Sequence, residues 1–348
     1  MASNAQKRAG AAVPVDPIPL DKEFSFTGPD KAGQCVGVFS AFNTSVTLQA
    51  YGDVKTCRSA FVAARDACRR YERLFSRTLP HSDVARINAS TGEWVPIAFE
   101  TYDLLKESLR YCRESGGVFD VTMGSAVRLW DFHKGVVPDE QQLQEALAHV
   151  NWRAVQLGRQ QVEGAVEDDP RIPCFARLTD PQASVDVGGT AKGWIADALG
   201  ELLRAHGIER YLINLGGNVL AGEVKPDGSP WRIGLQDPRH KREENVSVIG
   251  AVPVTNASVV TSGVYERTFT RDGRTYHHIL DPKTGYPVET DLAAATIVAE
   301  RSMDAEGYST TMLALGHDKA KEFMRTHARI KSLYLITPDA QINCISRG

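Results

Sequence analysis

Residues 186–193 constrain the fold more than any other stretch, because a short apolar run ends there in two glycines and a helical pattern begins at once. After Gly188 and Gly189, apolar side chains recur at the i, i+3, i+4 and i+7 spacing of one buried helical face, and Gly207 stands where a C-terminal cap would fall. This face consists of Ala191, Trp194, Ile195, Ala198, Leu199, Leu202 and Leu203. The pattern predicts a strand that leads into a helix through the glycine pair.

The glycine turn is suited to binding a phosphate group. Glycine permits positive φ angles and a close approach of the backbone, and the first turn of a helix offers unpaired N–H groups at the positive end of its dipole. Lys192 adds a charged donor to this turn, and Asp186 places a carboxylate just before it. The alternative is a tight connection between a strand and a helix with a solvated lysine. The spacing matches neither a P-loop nor a dinucleotide fingerprint.

Composition indicates an ordinary globular protein and excludes several classes of partner. The 348 residues allow two average domains or one large domain, and 42% of them are hydrophobic and 24% charged. The chain has 40 Lys and Arg and 43 Asp and Glu, so that its charges nearly balance and no broad electrostatic field favours binding to nucleic acid or an anionic membrane. No apolar segment reaches the roughly 18 residues that a membrane span needs. Residues 1–33 are proline-rich without periodicity, and we expect a disordered or loosely packed leader there.

The cysteines indicate buried free thiols. Cys57 and Cys68 lie on the apolar face of one helical pattern and Cys112 on that of another, and no Cys-x-x-Cys pair occurs among the six. This usage favours a reducing compartment. We therefore expect the cytoplasm, or the periplasm if an export signal has been trimmed.

Periodicity and turn signals predict most of the remaining elements. Strands are expected within 36–51, 155–178 and 211–215, the last ending in a second glycine pair, Gly216 and Gly217. Helices are expected over 57–75, in a short turn before residue 88, over 102–112 and over 138–150. A further helix is expected over 302–316, with Gly316 as its cap.

One hairpin can be placed in register from the sequence. Residues 265–271 and 274–280 flank Asp272-Gly273, a strong signal for a two-residue turn. Pairing about this turn sets Arg267 opposite His278 and leaves His277 on the other face. A neighbouring cation disfavours the imidazolium form, so His278 is a candidate base. The alternative is a strand histidine that is hydrogen-bonded in the core.

Glu306 and Thr310 lie four residues apart on the last predicted helix and therefore project from the same face. A carboxylate and a hydroxyl are hard oxygen ligands that suit Mg²⁺. The alternative is a solvated acid and a threonine that bonds back to its own helix.

Seven stretches of the chain form an ordered series of motifs: 76–88, 119–124, 186–193, 212–218, 260–263, 277–287 and 304–310. No single motif is specific for a family, but the order of all seven is. By this series the chain resembles the FAD:protein FMN transferase family, called ApbE, from about residue 42 to 315.

The resemblance implies a fold, a reaction and a set of site residues. The family fold is α+β, a single domain of mixed and antiparallel sheets flanked by helices, here expected over 34–348, with FAD in a cleft between two lobes. Members use Mg²⁺ to transfer FMN from FAD to a Thr or Ser hydroxyl of an acceptor protein, and AMP is released. The implied FAD contacts are Ser76, Thr78, Phe119, Asp120, Asp186, Lys192, His278 and Ile279. The implied metal ligands are the Gly189 carbonyl, Glu306 and Thr310.

Two departures from the family pattern bear on the site. Family members usually carry Asp where this chain has Glu306, so the carboxylate has one extra methylene. Many members also have an aromatic residue near Thr78 that stacks on the flavin, whereas the nearest candidates here, Phe75 and His81, are displaced.

Within the implied mechanism His278 accepts the proton of the acceptor hydroxyl, with Asp186 or Asp281 able to share or replace it. Two alternative functions stay open, of which the first uses the same metal and phosphate site and the second does not need Glu306 and Thr310 on one helical face. An FAD pyrophosphatase would replace the acceptor by water, and a non-catalytic FAD carrier would bind FAD without cleaving it.

Overall fold

The computed structural model describes residues 24–161, 169–240 and 247–347, and this part of the chain is built of antiparallel sheets and helices. Its strands are β1 (Ser25–Thr27), β2 (Gln34–Ala41), β3 (Thr44–Tyr51), β4 (Val95–Ile97), β5 (Val155–Arg159), β6 (Cys174–Leu178), β7 (Tyr211–Leu215), β8 (Asn218–Ala221), β9 (Trp231–Gln236), β10 (Val248–Val254), β11 (Ala257–Gly263), β12 (Thr268–Arg271), β13 (Arg274–His277), β14 (Ala294–Ala299), β15 (Ile330–Ile336) and β16 (Ile342–Ser346). Its helices are α1 (Val54–Phe75), α2 (Asp83–Asn88), α3 (Phe99–Glu114), α4 (Gly124–Val127), α5 (Glu140–Leu147), α6 (Ala191–Ala205) and α7 (Ser302–Thr326).

The main sheet has the strand order β1-β2-β3-β7-β8-β11-β14-β15-β16, and neighbouring strands in it run antiparallel. Helix α6 packs against α1 and α7, and α7 packs on β11 and β14. A smaller sheet, β4-β6-β5, and the hairpins β9–β10 and β12–β13 complete the described fold. The sheet therefore carries a helical layer in which α6 and α7 are neighbours.

The folded part of the chain begins at a lower residue number than predicted. Residues 1–23 lie outside the described residues. The remaining part of the expected leader belongs to the fold, because β1 pairs with β2 and the Phe24 side chain is buried. The predicted boundary at residue 33 is thus later than the start of the main sheet.

The predicted helices are confirmed, and one of the two predicted glycine caps, Gly207, is confirmed as well. Helix α1 buries Cys57 and Cys68. Helix α6 ends before Gly207, whose φ of 75° is the left-handed conformation that a C-terminal glycine supplies. Gly316, with a φ of 73°, interrupts α7, and the chain then continues helically to residue 326. The predicted cap at Gly316 is therefore a break between two helical segments.

The cysteines are unpaired, as predicted, and five of them are buried. Cys344, on the outermost strand β16, is exposed instead. No helix in the described part of the chain is both long and apolar enough to cross a membrane.

The strand predicted before Gly188 is wrong. Val185 is fully buried, but the Asn88 side chain supplies its backbone partners: the Val185 N–H donates to Asn88 Oδ1 at 2.7 Å, and Asn88 Nδ2 donates to the Val185 carbonyl at 2.9 Å. The Asp186 N–H donates to the Val121 carbonyl at 2.8 Å. The backbone hydrogen bonds of this apolar segment are thus made with a side chain and a loop, and not with a neighbouring strand.

Helices α6 and α7 approach closely at Gly193. A Cβ at this position would lie 2.7 Å from the Ser302 carbonyl oxygen and 2.8 Å from Met303 Cα. One turn later, Asp197 caps α7 from outside: Oδ1 accepts the Ser302 N–H at 2.7 Å and Oδ2 accepts the Met303 N–H at 2.9 Å. Arg301, at the N-cap position of α7, makes no capping bond with its own side chain. Two residues of α6 therefore set the position of α7.

We expect Gly193→Ala to destabilise the protein by about 1–3 kcal/mol, the cost of overpacking. Elsewhere in a helix this substitution gains roughly 1 kcal/mol from helix propensity, so the predicted sign is opposite to the ordinary one. The cause is that backbone atoms of α7, which cannot rotate away, occupy the space of the added methyl group. Denaturant unfolding of the two proteins measures the difference, and a variant as stable as the parent would contradict the close approach.

Candidate active site

Lys192 and Glu306 form an ion pair across the contact between α6 and α7. Lys192 Nζ donates to Glu306 Oε1, and the Glu306 side chain is only 6% exposed whereas that of Lys192 is 31% exposed. The two residues are far apart in sequence, and the Gly193 contact brings them together. A buried carboxylate requires such a partner, because an unpaired charge in the interior is costly.

Asn218, the first residue of β8, holds the other oxygen of Glu306. Asn218 Nδ2 donates to Glu306 Oε2 at 2.9 Å, and Asn218 Oδ1 accepts the Ser302 hydroxyl at 2.7 Å. Ser302 in turn accepts the Ser258 hydroxyl at 2.9 Å. All of these polar side chains except Lys192 are buried, so the Glu306 carboxylate is fixed by a hydrogen-bonded chain from three elements.

Thr310 lies one turn after Glu306 on α7, as predicted. Its Oγ1 is 3.3 Å from Ser262 Oγ on β11, and Ser262 Oγ is 2.8 Å from Ser309 Oγ. Carboxylate and hydroxyl oxygens thus line the same helix beside β11. These are the oxygen donors that Mg²⁺ prefers, so the residues fit a hard divalent cation. No group of three or more His, Cys, Asp or Glu side chains is gathered for a metal within residues 24–161, 169–240 and 247–347.

The glycine turn lies at the start of α6 and contacts Phe119. A Cβ at Gly189 would lie 2.9 Å from Phe119 Cε2, so the close approach that glycine permits here is to an aromatic ring. Neither Gly188 nor Gly189 has a positive φ, which differs from the freedom expected of them. Asp186 Oδ1 accepts the Gly188 N–H at 2.8 Å, and its Oδ2 lies 3.3 Å from Arg77 Nε. The turn is therefore braced by Asp186 and Phe119.

The hairpin register is confirmed around its turn. Arg271 faces Arg274 and Phe269 faces Tyr276. The His278 N–H donates to the Arg267 carbonyl at 3.2 Å, which places these two residues opposite each other just beyond the strands. The strands end there, so the ladder is shorter than the predicted 265–280.

The two histidines have different surroundings. Burial, followed by the charges of Arg267, His277 and Lys192, lowers the pKa of His278 to about 4. Nδ1 of His278, like Nδ1 of His277, is buried without a hydrogen-bond partner among the described residues. His277 Nε2 lies 3.3 Å from the Val288 carbonyl, and burial lowers its pKa as well. His278 is thus neutral at physiological pH and lies within the electrostatic influence of Lys192.

Other predicted FAD contacts lie in less distinctive surroundings. Ser76 caps α1 and Thr78 follows it in an exposed turn, where Ser76 Oγ accepts the Thr78 N–H at 3.2 Å. The structure links this turn to the glycine turn through the neighbouring Arg77, which pairs with Asp186. Ile279 is buried, and its carbonyl accepts the Val288 N–H at 2.9 Å. Direct FAD contacts by Ser76, Thr78 and Ile279 stay predictions.

Asp120 has a structural role that the sequence did not indicate. Its Oδ1 accepts from the Thr122 N–H at 2.8 Å and from the Thr122 hydroxyl at 2.6 Å, and its Oδ2 accepts the Trp152 N–H at 3.0 Å. Burial raises its pKa, and these hydrogen bonds oppose the rise. An FAD contact by Asp120 would add to a carboxylate already engaged in three hydrogen bonds.

Sequence reasoning did not assign roles to Asn218, Ser262 or Arg77, although each falls in or beside a motif. The available signal for Asn218 was a polar residue at the start of a buried strand, directly after Gly216 and Gly217. A buried amide in this position needs a partner. The partner, Glu306, is identifiable only once α7 is placed.

A comparison with protein families identifies the family of this chain. The model of the ApbE family matches residues 42–334. The chain belongs to the ApbE family. The resemblance recognised from the ordered motifs is therefore confirmed.

Two curated relatives illustrate the match. An FAD:protein FMN transferase of Treponema pallidum is 35% identical over 283 residues, which cover 78% of this chain and 75% of that protein. An FAD:protein FMN transferase of Klebsiella pneumoniae is 32% identical over 271 residues, which cover 77% of this chain and 79% of that protein. The similarity thus extends over most of the length of each ApbE relative.

Solved ApbE structures confirm the α+β fold. The ApbE protein of Thermotoga maritima superposes with a TM-score of 0.75 at 27% identity, covering 92% of this chain and 96% of its own. The apo form of the Pseudomonas stutzeri flavinyl transferase ApbE superposes with a TM-score of 0.73 at 25% identity, covering 93% of this chain and 95% of its own.

Proposed function

We propose that this protein is an FAD:protein FMN transferase that uses Mg²⁺ to transfer FMN from FAD to a Thr or Ser hydroxyl of an acceptor protein, with release of AMP. Curated relatives of this name cover most of the chain. The observation that carries the proposal is the cluster of Lys192, Glu306 and Asn218, which α6, α7 and β8 bring together beside the glycine turn. A cation for phosphate and a fixed carboxylate for metal are what such a transfer needs.

In the proposed reaction the acceptor oxygen attacks the FMN-side phosphorus, and the bond from this phosphorus to the bridging oxygen breaks, so that AMP leaves. Lys192 orients the phosphates beside the glycine turn, in which the Gly188 N–H donates to Asp186 and the Thr190 and Ala191 N–H groups donate to the Val187 carbonyl. The neutral imidazole of His278 accepts the hydroxyl proton. Mg²⁺, held by Glu306, Thr310 and the Gly189 carbonyl, would neutralise charge on the phosphate oxygens.

The proposal is tested by incubating the protein with FAD and Mg²⁺, with and without a flavin-acceptor protein. We expect AMP and covalent flavin on the acceptor to appear in equal amounts, and neither to appear when the target threonine of the acceptor is replaced by valine. AMP and free FMN without an acceptor would indicate an FAD pyrophosphatase. Bound FAD without cleavage would indicate a carrier.

The pH dependence of kcat/KM should reflect the lowered pKa of His278. This parameter reports the free enzyme, in which the base must be unprotonated. Because the pKa is about 4 rather than 6.5, the neutral form persists as the pH falls and is lost only near pH 4. We therefore expect no loss of activity between pH 7 and 5. Arg267→Met, which removes a cation next to His278, should move the acid limb to higher pH, whereas Arg271→Met should not. An acid limb near 6.5 in the parent would contradict the assignment.

A further inference from the structure

The carboxylate expected to bind the metal has protein donors on both oxygens. Lys192 Nζ donates to Glu306 Oε1 and Asn218 Nδ2 donates to Glu306 Oε2. A cation that binds Glu306 must therefore compete with the ammonium group of Lys192 or with the amide of Asn218. These two competitors differ in how firmly they are held.

Asn218 is the fixed donor. Its side chain is buried, and its own oxygen accepts from Ser302, whose hydroxyl is in turn held by Ser258. Moving the Asn218 amide would leave buried polar groups without partners, which costs about 1–3 kcal/mol for each group. Oε2 of Glu306 is thus anchored.

Lys192 is the movable donor. Its side chain is 31% exposed, and its long flexible stem can turn the ammonium away from Glu306 without breaking any other hydrogen bond in the described structure. Lys192 also lies at the first turn of α6, where phosphate groups of FAD are expected. The same ammonium can therefore serve either Glu306 or a phosphate.

Charge balance makes the two ligands depend on each other. In the ligand-free site Glu306 and Lys192 neutralise each other. A doubly negative pyrophosphate that binds alone would be repelled by the Glu306 carboxylate. A divalent cation that binds alone would be repelled by the Lys192 ammonium group. When both bind, the ammonium moves to the phosphate, Oε1 is released to the cation, and the net charge of the partly buried site is unchanged.

We propose that Lys192 is a positioning residue that couples the binding of FAD to that of the divalent cation, because it occupies Oε1 of Glu306 until the FAD pyrophosphate takes its ammonium. Coupling of this kind is reciprocal: the metal strengthens FAD binding by the factor by which FAD strengthens metal binding. This inference rests on the proposed function, since it assumes that FAD and a metal share the site.

The first measurement is the affinity for Mn²⁺, detected by electron paramagnetic resonance. It probes the metal site independently of any enzymatic activity. We expect FAD-free parent protein to bind Mn²⁺ weakly and Lys192→Met to bind it at least tenfold more tightly, because Oε1 is then free. Lys192→Arg, which keeps a cation on Glu306, should bind Mn²⁺ as weakly as the parent. Lys134→Met, which removes a lysine paired with Asp131 instead of Glu306, serves as the matched control and should leave Mn²⁺ affinity unchanged.

The second measurement is the affinity for FAD, from flavin fluorescence, with and without Mn²⁺. We expect Mn²⁺ to strengthen FAD binding at least tenfold in the parent and markedly less in Lys192→Met. The coupling would be overturned if the parent and Lys192→Met bound Mn²⁺ with equal affinity, or if Mn²⁺ strengthened FAD binding equally in both, even if both ligands bind. If neither the parent nor Glu306→Gln binds Mn²⁺ when FAD is present, the proposed metal site is contradicted, and the coupling is contradicted with it. Thermal unfolding of each variant verifies that it is folded.

Discussion

Glu306→Ala is expected to abolish Mg²⁺-dependent flavin transfer, with a loss of about a thousandfold or more in kcat/KM. Removing a metal that stabilises developing charge costs several kcal/mol in the transition state, and each 1.36 kcal/mol is about tenfold in rate. The buried carboxylate has no neighbouring acid in the described contacts that could replace it: its partners are Lys192 and Asn218. Covalent flavin on the acceptor, measured over a range of Mg²⁺ concentrations, gives the loss.

Two variants control this experiment. Glu306→Asp keeps a carboxylate and corresponds to the residue usual in the family, so it should retain Mg²⁺-dependent activity. Asp304 lies two residues earlier on α7, is also buried, and bonds to Arg110 Nη2 at 2.6 Å and to the Tyr111 hydroxyl at 2.8 Å. Asp304→Asn should therefore lower stability without removing the dependence on Mg²⁺. Substantial Mg²⁺-dependent transfer by Glu306→Ala would contradict the assigned ligand.

His278→Ala is expected to lower kcat by about a hundredfold to ten-thousandfold, the usual contribution of a general base. His277→Ala should lower it only a few-fold, because His277 faces away and contacts the Val288 carbonyl. Single-turnover transfer with saturating FAD separates this effect from binding. Added imidazole should restore part of the activity of His278→Ala and have no effect on His277→Ala. Equal losses in the two variants would contradict the role inferred from the hairpin register.

Local patterns predicted much of the fold. The period of apolar residues located α1, α6 and α7, and the Asp272-Gly273 turn set the register of β12 and β13 because its geometry allows little choice. One prediction that failed was the strand before Gly188. An apolar run shows only that a segment is buried, and here the Asn88 side chain satisfies the backbone in place of a neighbouring strand.

The candidate site was only partly predictable, for a related reason. Individual residues such as Lys192 and Glu306 stood out by their motifs, but their contact depends on Gly193 and on packing between distant helices. The place of Asn218 between Glu306 and Ser302 likewise depends on where β8 lies relative to α7. No periodicity encodes such long-range contacts. What motifs supply is the identity of the chemical groups, and what packing supplies is their partners.

The cap that α6 provides for α7 has a consequence for exchanging parts between relatives. Since Asp197 binds the first N–H groups of α7, the helix that carries Glu306 and Thr310 depends on a carboxylate from another segment of the chain. Consider a chimera in which α7 comes from a relative and α6 from this chain. The imported helix would begin at the correct residue only if it fits the cap by Asp197 and the close approach at Gly193. The two helices therefore form one transplantable module, which protein engineers should move together.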